Sequence, residues 1–201
     1  MPGMPAVCHR LLLAASIALS LTTCAIAADN AAAPAPLQPQ PAAAALQLGL
    51  QLLYFEGDFK HVDNMPKTSD DLAKGRRGAP VANLASSSED GKMWGIASGA
   101  FYGAHLSGLI KLEAGEYAFL ANSNDGVRIL LDRAVVVDDP DVHADHLSAP
   151  VKVAIGKSGW YPITVQYFQR RGAARLEFFW QSPNAGAPVI VPASALAHLP
   201  N

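Results

Sequence analysis

From Tyr117 to Trp180 the chain alternates apolar and polar residues with a period of two, and this repeat limits the folds open to it more than any other feature. Tyr117, Phe119 and Ala121 alternate with Glu116, Ala118 and Leu120, and Val127, Ile129 and Leu131 with Arg128, Leu130 and Asp132. Tyr161, Ile163, Val165 and Tyr167 oppose Pro162, Thr164, Gln166 and Phe168, while Leu176, Phe178 and Trp180 oppose Arg175, Glu177 and Phe179. Leu48, Leu50 and Leu52 repeat the pattern earlier. Side chains of a strand point alternately to its two faces, so β-branched and aromatic residues on one face describe half-buried strands. Ala114-Gly115, Asn124-Asp125-Gly126 and Arg171-Gly172 break the runs where hairpins need residues that tolerate positive φ. Short strands with regular turns predict an all-β fold, an antiparallel β-sandwich or barrel. Residues 57–100 are rich in Gly, Ser, Asp and Lys and read as long loops with one or two strands near Val81–Leu84 and Trp94–Ile96. Ser194 to Leu199 reads as at most a short helical turn.

The region before these strands has a different character. His9-Arg10 leads into the apolar run Leu11 to Leu21, and Ala25-Ile26-Ala27 follows it. That run is shorter than the ~20 residues a membrane-spanning helix needs, and it matches the apolar core and cleavage site of a signal peptide over residues 1–27. Export to the periplasm or the medium is therefore expected, with no transmembrane segment in the remainder. Leu21-Thr22-Thr23-Cys24 also resembles a bacterial lipobox, which would instead leave a lipoprotein anchored through Cys24; Thr23 departs from the small residue usual there. Cys8 and Cys24 are the only cysteines, so a chain cleaved after Ala27 has no disulfide and no thiol ligand. Residues 28–46, with four prolines among alanines and glutamines, read as a disordered spacer before a domain spanning 47–199. A formal net charge of −2 offers no basic stripe for nucleic acid. Lys74-Gly75-Arg76-Arg77 and Arg170-Arg171 read as solvated loop charge.

The order of motifs carries a family signature. Gly49-Leu50 precedes Tyr54; Ser107 to Leu112 leads into Gly115-Glu116-Tyr117-Ala118-Phe119; Asn124-Asp125-Gly126 opens Val127-Arg128-Ile129-Leu130-Leu131-Asp132. Gly159-Trp160-Tyr161 begins a strand closing on Tyr167-Phe168, followed by Gly172, Leu176 to Trp180, Val191-Pro192 and Leu196. Over residues 47–199 this order resembles the PA14 domain family. The resemblance implies a β-sandwich used as a carbohydrate-binding or assembly module. In lectin-like members, two consecutive aspartates at the turn hold Ca2+, which in turn binds sugar hydroxyls. Here Asp125 matches the second aspartate, while Asn124 stands at the first and keeps an amide oxygen without the charge. Weaker Ca2+ affinity, or none, follows. The same three residues are also those of an ordinary hairpin turn whose side chains cap their own backbone.

Two further constellations bear on binding. Asp138-Asp139-Pro140-Asp141-Val142-His143-Ala144-Asp145-His146 holds four carboxylates and two imidazoles. Asp138, Asp139 and Asp141 suit Ca2+, and His143 and His146 with Asp145 suit a transition metal such as Zn2+. A solvated acidic loop accounts for the same composition. Trp94, in the loop-rich region, is the candidate platform for stacking a sugar ring, with Tyr102 behind it; Trp160, Tyr167 and Trp180 sit on strands and read as core.

Catalytic patterns are missing: no nucleophile elbow, His-Glu-x-x-His helix or phosphate loop occurs. Nothing fixes two of Glu56, Glu89, Glu113, Glu116 and Glu177 at a glycosidase separation. The expectation is an exported, non-catalytic carbohydrate-binding module, Ca2+-assisted if Asn124 allows it. Its ligand would be a glycan or cell-envelope component. The alternative is an envelope domain that contacts another protein without sugar or metal.

Overall fold

The structure is a computed structural model, and it describes residues 33–200. The signal segment and Cys24 lie outside the described residues, and no helix within them is long and apolar enough to cross a membrane.

Among the described residues, fourteen strands build two antiparallel sheets. The strands are β1 (Gln47–Leu48), β2 (Gln51–Glu56), β3 (Arg76–Arg77), β4 (Ala85–Ser88), β5 (Tyr102–Leu112), β6 (Gly115–Asn124) and β7 (Val127–Leu131). They continue as β8 (Ala134–Asp139), β9 (His146–Leu147), β10 (Val151–Ile155), β11 (Gly159–Gln169), β12 (Ala174–Gln181), β13 (Val189–Ile190) and β14 (Leu196–His198). The first sheet runs β1-β14-β5-β11-β7-β8, with β2 pairing the other half of β5 and β3 pairing β2. The second runs β10-β6-β12-β13, with β9 extending along β6 and β4 along β12.

The inward faces are those the alternation marks. Tyr117, Phe119 and Ala121 from β6 meet Val127, Ile129 and Leu131 from β7, and Tyr161, Ile163, Val165 and Tyr167 from β11 meet Leu176 and Phe178 from β12. Phe119 stacks on Phe178 at 5.8 Å and on Tyr117 at 5.5 Å, giving the core aromatic layers in addition to buried area. Leu50 and Leu52 join this core, but Leu48 is exposed because the chain turns at Gly49. Gly49 has φ +84°, and a Cβ there would sit 2.6 Å from the Val81 carbonyl, so glycine is required on both counts.

The loop-rich stretch 57–100 carries more local order than its composition suggests. Thr68 caps a one-turn helix, α1 (Ser69–Leu72), by accepting the Asp71 N–H at 3.2 Å. Val81 forms only a bridge to Leu50, and the strand follows it at β4. Trp94–Ile96 is a turn and not a strand, with positive φ at Trp94 and Gly95. At the other end, a single 3-10 turn over Ala193–Ala195 gives way to strand β14, which fills the space beside β5. Residues 33–46 are not the free spacer expected of them. The Leu37 N–H donates to the Trp160 carbonyl at 2.8 Å, and the Gln40 amide accepts the Trp160 N–H at 2.7 Å, fastening the tract to the start of β11.

Candidate functional site

Four connections meet at one end of the sandwich: the β6–β7 turn, the β8–β9 loop, the β11–β12 hairpin and the approach to β5. The turn is the hub. Asp125 is only 4% exposed, and its Oδ2 accepts the Arg170 N–H at 2.7 Å. Burial pushes the Asp125 carboxyl upward from the ordinary range, opposed by the Arg170 and His143 backbone amides and the charges beside it. The Asn124 carbonyl accepts from the Tyr167 hydroxyl, whose phenol burial keeps protonated and therefore donating. The Asn124–Asp125 peptide is cis. Gly126 is needed for space and not for positive φ: a Cβ there would lie 2.6 Å from the Phe168 ring and 2.7 Å from the Pro140 and Asp141 carbonyls. The turn thus packs directly under the β8–β9 loop.

The Arg170 peptide links the turn to a surface depression. Its N–H serves Asp125, and its carbonyl accepts the Phe101 N–H at 3.0 Å. The Arg170 guanidinium pairs with Asp58 at 2.7 and 3.3 Å at the solvent-exposed surface. The next residue, Arg171, lies over the Phe101 ring with its guanidinium carbon 4.8 Å from the centroid. Together with Glu89, Asp90, Lys92 and Ser98 this pair lines an open depression of about 530 Å3. Its carboxylates, cations and hydroxyl surround a half-buried aromatic ring that Arg171 covers, a mixture of polar groups and apolar surface suited to sugar hydroxyls and C–H groups. Hydrogen bonds from Lys92 and Ser88 hold the Asp90 carboxyl well below the usual carboxylate range, so it stays ionised.

Phe101, half-buried like Trp94, and Arg171 escape a reading of the sequence because the ring sits between Gly-Ala and the buried Tyr102, with no apolar period to set it apart. Trp94, the expected platform, is half-buried. Its ring meets Tyr167 edge-to-face at 5.6 Å, its N–H donates to Ser86 at 2.8 Å, and it borders a separate hollow of about 250 Å3. Tyr102 is wholly buried and donates to the Gly91 carbonyl at 3.0 Å.

The acidic loop divides. Asp138 and Asp139 are neighbours on a strand and so face opposite ways. Asp138 accepts from Arg128 at 2.7 Å, in a network with Asp63, whereas Asp139 turns toward His143 and His146. Asp141 is exposed, and its backbone bridges His61. Asp138, Asp139 and Asp141 are therefore not brought together as a Ca2+ set. Asp145 accepts from Arg175 at 2.6 Å and does not join the imidazoles.

Ca2+ takes about six to eight oxygens. At the turn, the Asn124 carbonyl is engaged by Tyr167 and one Asp125 oxygen by Arg170. Among the described residues no other carboxylate or imidazole groups with Asp125 as a ligand cluster, since the one such group is Asp139, His143 and His146. The turn thus offers Ca2+ a single carboxylate, one oxygen of which is already bound to backbone.

Comparison with known proteins places this architecture. Among solved structures, an anti-sigma factor domain-containing protein superposes with TM-score 0.61 at 18% identity, covering 75% of this chain and 48% of that one. The chain thus spans about half the length of that relative. A PA14 sugar-binding domain from an RTX adhesin superposes with TM-score 0.59 at 18% identity over 75% of this chain and 98% of its own. The Epithelial Adhesin 9 A domain from Candida glabrata, solved in complex with Galb1-4GlcNAc, superposes with TM-score 0.58 at 13% identity over 84% of this chain and 97% of its own. Among curated proteins none matches. The PA14 domain family matches residues 82–194, more than half of the 201 residues and nearly all of the two-sheet core from β4 to β13, and the chain belongs to that family.

Proposed function

We propose that this chain is an exported, non-catalytic carbohydrate-binding module that takes a glycan in the depression beside the β6–β7 turn. The observation that carries the reading is the Arg171-capped Phe101 ring, set among Glu89, Asp90, Lys92 and Ser98 and joined to the turn through the Arg170 peptide. The sugar-binding adhesin domains that share the sandwich support the ligand class. The turn braces the site through backbone hydrogen bonds, so the glycan is bound without Ca2+. Of the glutamates, Glu56 pairs with Arg76 and Glu177 with Asn122 and Arg175, away from this depression, while Asp90 within it is held by Lys92 and Ser88.

A glycan array probed with the mature chain, with and without added Ca2+, tests this; β-galactosides are the first probes. The expected result is saturable binding to a defined glycan class, unchanged by Ca2+. Silence on every glycan overturns it and favours the protein-interaction alternative. Export is part of the same proposal and rests on residues 1–27; the mass of the processed N-terminus distinguishes cleavage after Ala27 from a lipidated Cys24.

A further inference from the structure

Carbohydrate binding leaves one group of side chains without a role. Asp139 ends β8, His143 lies in the loop after it, and His146 opens β9 on the opposite sheet. Asp139 Oδ2 is 2.8 Å from His146 Nε2 and 3.3 Å from His143 Nε2, and the two rings lie 4.1 Å apart. The three candidate donor atoms fall within 4.8 Å of one another.

Short distances alone would suggest hydrogen bonds, yet Asp139 Oδ2 and His143 Nε2 are buried atoms that make none. The tautomer of His143 explains the conflict. Its Nδ1 lies 2.9 Å from the Ala144 carbonyl, which can only accept, so Nδ1 carries the proton. His143 Nε2 then faces Asp139 Oδ2 across 3.3 Å, and neither buried atom has a hydrogen-bond partner. Such a pair is costly unless a cation lies between them.

We propose that Asp139, His143 and His146 form a binding site for a divalent transition-metal cation of the Zn2+ class. Two imidazoles and one carboxylate are the donors such ions prefer, whereas Ca2+ prefers oxygen alone. Tetrahedral Zn2+ with bonds near 2.0–2.1 Å sets its ligand atoms about 3.3 Å apart, which the His143–Asp139 pair matches and which the His146–Asp139 pair, at 2.8 Å, reaches by opening about 0.5 Å. The Ala144 carbonyl supplies the outer hydrogen bond that orients a ligating histidine. His146 is the exposed member, which leaves the outward coordination position open to solvent or to a ligand. A bound ion would tie β8 in one sheet to β9 in the other, just behind the loop that packs on Gly126. The site stands on its own residues and does not depend on the glycan reading.

Calorimetric titration of Zn2+ into the chelator-stripped mature chain tests it, with Co2+ absorption as a second readout. The expected result is one Zn2+ per chain, a Zn2+-dependent rise in melting temperature, and Co2+ bands of a four-coordinate N/O site. Asp139→Asn and His143→Gln should weaken Zn2+ binding by roughly 10- to 100-fold, while Asp145→Asn and His105→Gln leave it intact. Circular dichroism of each metal-free variant confirms the fold, and the wild-type Co2+ spectrum decides the matter if a variant fails to fold. Absence of saturable Zn2+ uptake by the wild-type chain overturns the proposal, as does uptake undiminished in both ligand variants.

Discussion

Replacing Asp125 with alanine removes the brace between the β6–β7 turn and the end of β11. The carboxylate is 4% exposed and accepts the Arg170 backbone N–H at 2.7 Å. A hydrogen bond to a charged group contributes about 1.5–3 kcal/mol, and a buried donor left unpaired costs about 1–3 kcal/mol. Against this stands the cost of keeping the charge buried, visible as the upward displacement of the carboxyl pKa. The net loss for Asp125→Ala is therefore about 2–4 kcal/mol, or roughly 5–15 °C in melting temperature for a domain of this size. Asp125→Asn keeps one acceptor oxygen and no charge, so its loss should be about half as large. Thermal and urea denaturation followed by circular dichroism, with chelator present to remove any bound cation, gives both numbers. An Asp125→Ala protein within ~0.5 kcal/mol of wild type, or an asparagine variant as unstable as the alanine variant, would refute the reasoning.

Other consequences are equally open to measurement. Tyr167→Phe removes the donor to the Asn124 carbonyl and should cost about 1–2 kcal/mol in urea unfolding, with no change in the far-ultraviolet spectrum. Gly49→Ala forces a side chain into a positive φ and against the Val81 carbonyl, so it should lose about 1–3 kcal/mol from backbone strain and more from the clash; a neutral variant would show that the turn relaxes. Hydrogen bonds from Lys67 and then Arg128 hold the Asp63 carboxyl at about 2, below its ordinary 3.8. A lowered native pKa contributes stability that is present above 3.8 and is lost as pH falls through about 2, so Asp63→Asn should flatten the acid limb of the stability curve in that window.

The strands were legible because each half-buried strand writes its burial into every second residue. β6, β7, β11 and β12 could be read directly, down to the faces that Tyr117 and Phe178 present to the core. β5 was harder: only its Ser107–Leu112 half lay in a recognisable motif, and Gly103, Ala104 and His105 blur the alternation in the remainder. β4 is three serines after an alanine, a sequence with little strand propensity that pairs because β12 offers an open edge. The site was less legible than the fold. The sequence leaves open whether Asp125 and the acidic loop share one end; the β7–β8 hairpin brings them together, and which carboxylate meets the imidazoles depends on long-range partners. Asp145 is claimed by Arg175, thirty residues away in sequence, which leaves Asp139 to His143 and His146. Phe101 becomes a candidate only once Arg171 is seen lying over it.

Glycan binding at the Phe101–Arg171 depression is the central claim, and titration of the best array glycan into wild type, Phe101→Ala and Arg171→Ala tests it most directly. Loss of the Phe101 ring should weaken binding by at least about tenfold, and loss of the Arg171 guanidinium that covers it should weaken it as well, with melting temperatures close to wild type. Wild-type affinity in both folded variants would contradict the placement of the site.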